Sequence, residues 1–136
     1  MVTPSKSPNA LRNALLLDAG ASGTMGLLLL AAGSALEPLL GLPVDLLRGV
    51  GAFLIPFAAT LVWVSSRRAA GLVRAIVWGN VLWVVASIVL LVSGLVQPTV
   101  LGEVFVLVQA AAVAGFAYLE QRGLRRAQAS LIPERA

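Results

Sequence analysis

A stretch of 23 mostly apolar residues, Ala14 to Leu36, constrains this chain more than any other feature. As a helix rising about 1.5 Å per residue it is about 34 Å long, enough to cross a hydrocarbon core of about 30 Å. Its eight leucines favour insertion by about 4 kcal/mol, whereas its one charged residue, Asp18, costs about 3 kcal/mol at the bilayer centre and less near an edge. The stretch therefore predicts a membrane span with Asp18 near one surface.

Three further apolar stretches of similar length follow the first. The four predicted spans cover about residues 14–36, 49–66, 72–95 and 101–119. The connections between them are short, and short connections make neighbouring helices antiparallel. The sequence therefore predicts an all-α integral membrane protein, an up-down-up-down antiparallel four-helix bundle. Within it, Pro38 is expected to end the first helix near Glu37, and Thr99 is expected to cap the fourth.

The composition is typical of a membrane protein and excludes catalysis or metal binding by cysteine and histidine side chains. Hydrophobic residues make up 59% of the 136 residues and charged residues only 12%, against about 25% charged in soluble proteins. The chain has no cysteine and no histidine, so it lacks a thiolate nucleophile, an imidazole base and the usual zinc ligands. We therefore expect no enzyme activity, no cofactor and no metal site. The net charge of +4 is not taken to indicate nucleic acid, because the basic residues flank apolar spans.

The basic residues predict the orientation of the chain in the membrane. Nine of the ten fall at the two ends or in the second connection, and Arg48 is the exception. The nine are Lys6, Arg12, Arg67, Arg68, Arg74, Arg122, Arg125, Arg126 and Arg135. Because cytoplasmic loops are enriched in Lys and Arg, both termini are predicted to be cytoplasmic, in the inner (plasma) membrane.

The predicted bundle divides the chain into three parts. Residues 1–7 are polar and are expected to be a flexible N-terminal segment. Residues 8–121 form the four-span bundle. Residues 122–136 form a basic cytoplasmic tail, for which an interfacial helix and a solvated coil are both open alternatives.

Asp18 and Arg74 are predicted to form an ion pair inside the membrane. Both lie a short distance within the cytoplasmic ends of their spans, and pairing offsets part of the cost of burying either charge. In that role they lock the first span to the third. A proton- or ion-linked Asp18 in a transporter is the alternative.

Several polar or aromatic residues inside the spans are candidates for binding a ligand. They are Asn80, Trp83, Gln109, Thr60 and Ser87. Side chains of this kind also hydrogen-bond between membrane helices, so interhelical contacts are the competing interpretation. If they converge, an amide beside an indole ring suits a flat apolar molecule.

Small residues form one face of the first span. Ser22, Gly23, Gly26 and Gly33 recur at helical spacing and are predicted to be helix-packing residues. The alanine-rich fourth span is the expected neighbour, and a homo-oligomer through this face is the alternative.

In general layout the chain is similar to small four-span bacterial membrane proteins, in stretches such as LLDAGASGTMGLLLL, NVLWVVAS and QPTVLGEVFVLVQA. These stretches contain no catalytic residue. The leading functional prediction is a non-enzymatic structural or accessory subunit that packs against itself or a membrane partner within the lipid bilayer. The alternative is a small transporter or carrier of an apolar small molecule. An enzyme would need paired acid and base groups, and only Asp18 and Glu120 lie near spans on the same side, with arginines available to both.

Overall fold

The computed structural model describes residues 7–67 and 69–132, and side chains from residue 9 onward. The described residues form four α-helices and no strand. The helices are α1 (Ser7–Leu40), α2 (Val44–Arg67), α3 (Ala70–Val92) and α4 (Val100–Ala129). Each is long and apolar enough to cross a membrane. The predicted all-α class is therefore confirmed for the described residues, and each predicted span falls on a helix that could cross. Lys6, Arg68, Arg135 and most of the predicted N-terminal segment lie outside the described residues.

The first helix ends three residues later than expected. Pro38 lies inside its last turn, and the helix continues to Leu40. The end comes at Gly41, whose φ of 65° places it in the left-handed region that favours glycine. Its amide donates to the carbonyl of Glu37 at 2.8 Å, as expected for a left-handed helix cap.

The fourth helix continues well past its apolar stretch. It begins with Thr99 as N-cap, as predicted, since the Thr99 hydroxyl accepts a hydrogen bond from the Gly102 amide at 3.1 Å. It then runs to Ala129, so residues 122–129 of the predicted tail continue the helix. The third helix ends at Val92, before the predicted limit of its span at residue 95, and Gly94 follows with a φ of 75°.

Thr99 also joins the start of α4 to the end of α1. Its amide donates to the Leu40 carbonyl at 3.0 Å and its hydroxyl donates to the Leu39 carbonyl at 2.7 Å. These bonds satisfy carbonyls that the end of a helix leaves without partners. At the other end of the pair, Gly123 of α4 lies against the backbone of Leu11. The two helices therefore run in opposite directions along each other.

The glycine face of α1 packs against α2, which corrects the prediction that it meets the fourth span. A Cβ atom on Gly26 would lie 3.1 Å from the Gly51 carbonyl oxygen, and one on Gly23 would lie 3.5 Å from Ala58. Gly33 similarly faces Val44 and Arg48. Helix α2 begins soon after α1 ends, so the two helices lie side by side and the small residues of α1 contact α2.

The four helices do not close into an evenly packed ring. Helix α1 packs against α2 and α4, and α4 packs against α3, but α2 and α3 make few contacts although they are consecutive. Two apolar clusters hold the ends of the assembly together. Leu15, Leu61 and Val73 belong to the first, and Leu29, Leu54 and Val106 belong to the second.

Candidate functional site

Two carboxyl groups from different helices meet at one amide. The Nδ2 atom of Asn80 in α3 donates to Asp18 Oδ2 of α1 and to Glu120 Oε2 of α4, at 3.0 Å each. The Ser22 hydroxyl, one turn after Asp18, donates to Asp18 Oδ1 at 2.9 Å. We call these four residues the carboxyl cluster. It connects three of the four helices through side-chain hydrogen bonds.

The carboxyl cluster is buried and short of hydrogen-bond donors. Asp18 is 1% exposed, Asn80 3% and Glu120 0%. Both hydrogens of the Asn80 amide are used, and Glu120 Oε1 is buried with no hydrogen-bond partner in the described part of the chain. Burying a carboxylate without full hydrogen bonding is costly, so this arrangement is unusual for residues that serve packing alone.

Glu120 is placed in the cluster by the buried stripe of α4. Val106, Ala110, Ala117 and Leu124 are buried at spacings that keep them on one helical face, and Glu120 falls on that face. Gly123 lets this part of α4 approach the backbone of α1 closely. The close approach brings the Glu120 carboxyl within reach of Asp18 and Asn80.

A cavity of about 700 Å³ lies beside the carboxyl cluster, and residues of all four helices line it, including Leu40 and Leu54 of the second apolar cluster. This volume is within the range of about 300–1,000 Å³ that is typical of small-molecule sites. Its wall is mainly apolar and rich in aromatic rings. Exposed side chains such as Leu82 and Val108 are part of the lining, so the cavity is open to the surroundings.

Three aromatic rings bridge the gap between α2 and α3. The ring of Phe53 stacks on Phe57 and on Trp83, each at 5.9 Å between centroids, with interplanar angles of 15° and 9°. Phe53 and Phe57 belong to α2 and Trp83 to α3. We call these residues the aromatic stack. All three line the cavity, so contact between the two helices depends here on side chains that form its wall.

Polar groups at the cavity are few and include an unused donor. The Nε1 atom of Trp83 is buried and has no hydrogen-bond partner among the described residues. Gln109 of α4 also lines the cavity. Ser22 and Asn80 line it as well, so these two residues belong both to the cavity wall and to the carboxyl cluster.

The structure brings three of the five predicted ligand-binding residues together. Asn80, Trp83 and Gln109 line the cavity, as the carrier hypothesis requires. Thr60 and Ser87 do not belong to its lining. Their hydroxyls donate to carbonyls one turn earlier in their own helices, those of Pro56 at 2.9 Å and Trp83 at 2.8 Å.

Asp18 and Arg74 are not brought together in the predicted ion pair. Arg74 is exposed, and the hydrogen bonds to Asp18 come from Ser22 and Asn80. The expectation rested on equal depths counted from the ends of the apolar stretches. Those ends are not the helix ends, and the helices are displaced along one another, so Asn80 rather than Arg74 is level with Asp18.

Glu120 and the two phenylalanines of the aromatic stack are site residues that the sequence did not predict. Glu120 was expected to have arginine partners near the cytoplasmic surface, but it is buried against Asp18 and Asn80. A signal was present, because Glu120 continues the helical spacing of Val106, Ala110 and Ala117 on α4. Phe53 and Phe57 are spaced to share a face of α2, but nothing in the sequence pairs them with Trp83.

The site contains no familiar metal-binding arrangement. Within residues 7–67 and 69–132, no group of three or more acidic, histidine or cysteine side chains is placed to hold a metal ion. The chain matches no protein-family model, no curated protein and no solved structure. Conclusions about its function therefore come from the geometry of the cavity and the carboxyl cluster.

Proposed function

We propose that this chain is a multi-pass membrane protein that binds and carries an apolar small molecule in the cavity between its helices. The observation that carries this proposal is the cavity of about 700 Å³, whose mainly apolar lining also includes Asn80, Trp83 and Gln109. A bundle that served only as a scaffold would gain stability by filling such a volume with side chains. An open cavity lined by aromatic rings and a few polar groups is instead typical of a small-molecule site.

The chemistry of the wall indicates the class of ligand. The aromatic stack favours a flat, largely apolar molecule. Trp83 lines the cavity and its indole N–H has no partner among the described residues, so a ligand with an acceptor such as a carbonyl oxygen would satisfy this donor once the ring turns toward it. Gln109 offers a second polar contact elsewhere in the same cavity. A planar ketone or quinone-like molecule satisfies these requirements.

The leading prediction from sequence, an accessory subunit, receives less support. It relied on the small-residue face of α1 being free to bind a partner. Gly23, Gly26 and Gly33 face α2 of the same chain instead. The carrier alternative needs a cavity with convergent polar groups, which Asn80, Trp83 and Gln109 provide.

The proposed carrier crosses the membrane four times with both termini in the cytoplasm. Four apolar helices and the clustering of basic residues support this up-down-up-down arrangement in the plasma membrane. We also propose that the protein is not an enzyme. Without cysteine or histidine the cavity lacks the commonest nucleophile and base, and its polar groups suit binding.

A cavity-filling variant tests the proposed function. A Cβ on Gly79, which lines the cavity, would meet nothing within 4 Å, so Gly79→Leu adds bulk there without a clash. The probe is prodan, an apolar naphthyl ketone dye, added to the protein in lipid nanodiscs. We expect dye emission excited through tryptophan for the wild type and a loss of at least about tenfold in affinity for Gly79→Leu.

The matched control is Gly115→Leu on α4. Its Cβ also meets nothing within 4 Å, but Gly115 is not part of the cavity lining. This variant should bind the dye as the wild type does, with unchanged thermal stability. Equal dye binding by the wild type and Gly79→Leu, or none above empty nanodiscs, would overturn the proposal.

A further inference from the structure

We propose that Asp18 and Glu120 form a proton-binding site that shares one proton, and that its protonation is coupled to occupation of the cavity through Asn80 and Ser22. The coupling rests on the proposed function, whereas the shared proton does not. The coupling is inferred because Asn80 and Ser22 each donate a hydrogen bond to a carboxyl of the pair and also line the cavity.

The hydrogen bonds of the pair call for one further donor. Asn80 and Ser22 supply three hydrogens for four carboxyl oxygens, and Glu120 Oε1 has no partner among the described residues. Asp18 Oδ2 and Glu120 Oε2 both lie 3.0 Å from the same Asn80 nitrogen, which makes the two carboxyls neighbours. A proton taken from water by one carboxylate gives the pair an O–H donor and halves its buried negative charge. Two like charges in one buried site cannot both persist without such compensation.

Among residues 9–67 and 69–132, no other charge near this end of the helices pairs with the two carboxyls. The charged or titratable side chains described there are Arg12 of α1, Arg67 of α2, Arg74 of α3, and Tyr118, Arg122, Arg125 and Arg126 of α4, and all are exposed. None of them hydrogen-bonds to Asp18 or Glu120. The Arg67 guanidinium lies over the Trp63 ring instead, 5.4 Å from its centroid.

A metal ion is a weaker candidate for the same position. Ca²⁺ prefers about six to eight oxygen ligands, and Mg²⁺ prefers an octahedral set of oxygen ligands. Here the Asn80 amide presents its nitrogen to both carboxyls, and a donor group in that position opposes a cation. A proton needs only two neighbouring carboxyl oxygens, such as the two that accept from the Asn80 nitrogen.

Asn80 provides a direct route from the proton to the ligand. With both carboxyls ionised, the two amide hydrogens are held by Asp18 and Glu120. When one carboxyl is protonated, its O–H can donate to the other, which releases an Asn80 hydrogen for a ligand carbonyl in the cavity. Ligand binding therefore favours the protonated pair, and by reciprocity protonation favours the ligand.

Infrared difference spectroscopy tests the shared proton without any ligand. In nanodiscs at neutral pH, the wild type should show the C=O stretch of one protonated carboxyl in a buried environment. Glu120→Gln should remove this band, and Asp18→Asn should shift or remove it. Glu103→Gln, which changes an exposed carboxyl in the first turn of α4, should leave it unchanged. A wild type without the band, or a band that both cluster variants retain, would overturn the proton site.

Dye titrations at several pH values test the coupling. For the wild type, prodan affinity should fall by up to about tenfold per pH unit once the pair loses its proton. Glu120→Gln keeps a neutral amide in place of the carboxyl, so its affinity should not vary with pH over the same range. Glu103→Gln should retain the wild-type pH dependence.

The outcomes separate the two proposals. If the infrared band is present but dye binding does not depend on pH, the coupling is refuted and the carrier function is not. A band with no dye binding at all would refute the carrier function and the coupling but support the proton site.

Discussion

At the scale of single residues, Asn80 is the most informative side chain of this protein. Its amide is the only described group that bonds to both buried carboxyls. Removing it leaves two buried acceptors short of a donor, a change that costs about 1–3 kcal/mol. We expect Asn80→Ala to lower the free energy of unfolding by that amount, measured by denaturation in mixed micelles.

Ser87 is the matched control for Asn80. It lies two turns further along α3 and is also buried, but its hydroxyl donates only to the Trp83 carbonyl of its own helix. Ser87→Ala should cost less than about 0.5 kcal/mol, because the carbonyl keeps its helical hydrogen bond. Equal losses for the two variants would contradict a special role for the Asn80 amide.

Asp18 and Arg74 should behave as independent residues. Because Arg74 is exposed and Asp18 bonds to Asn80, Asp18→Asn and Arg74→Gln should have additive effects on unfolding, within about 0.5 kcal/mol. The matched cycle pairs Asp18→Asn with Asn80→Ala and should give a coupling energy of at least about 0.5 kcal/mol. A larger coupling with Arg74 than with Asn80 would restore the ion pair predicted from sequence.

Sequence analysis identified part of the site at this scale. Polar residues in apolar spans have few roles, so Asp18, Asn80 and Gln109 were recognisable from composition alone. Which of them meet depends on how the helices slide along one another, and the ends of apolar stretches do not give this displacement. For that reason Glu120, which lies just past a predicted span, was not included.

At the scale of the helices, the contact between α1 and α2 depends on glycine. A side chain at Gly26 would begin 3.0–3.1 Å from Ile55, Gly51 and Leu54. Gly26→Leu should therefore destabilise the protein by about 1–3 kcal/mol, as overpacking does. Thermal unfolding in detergent measures the effect.

Gly20 is the control on the same helix. It lies less than two turns before Gly26, and a Cβ there would meet nothing within 4 Å. Gly20→Leu should leave the melting temperature unchanged. An unchanged melting temperature for Gly26→Leu as well would mean that this face of α1 does not touch α2.

The ends of the helices were harder to predict than their existence. The sequence predicts that Pro38 ends the first helix, but proline in a last turn removes only one hydrogen bond, and the positive φ of Gly41 sets the true end. At Thr99 the prediction succeeded, because a cap depends on residues next to it in sequence. The partner of the glycine face could not be predicted, since every span offers small residues.

At the scale of the whole molecule, the threading through the membrane can be tested by single cysteines, because the chain has none of its own. Gln97 and Ser130 are exposed near opposite ends of α4. A membrane-impermeant maleimide should label Gln97→Cys in intact cells, but Ser130→Cys only after permeabilisation. Labelling of both positions in intact cells would contradict a cytoplasmic C-terminus.

The class of the fold followed from hydropathy, whereas the cavity did not. Four apolar stretches with short connections are sufficient to predict four helices. The separation of α2 from α3, and with it the cavity, depends on three-dimensional packing. No periodicity in either helix reveals that their backbones diverge.

That divergence has a consequence for supply. For the proposed carrier in a bilayer, an apolar ligand would approach the gap between α2 and α3 from among the lipid tails, so its encounter rate would follow its concentration in the membrane more than its solubility in water. Such a protein would take its ligand directly from the hydrocarbon core of the membrane. A compound whose concentration in buffer is too low to measure would still reach the cavity.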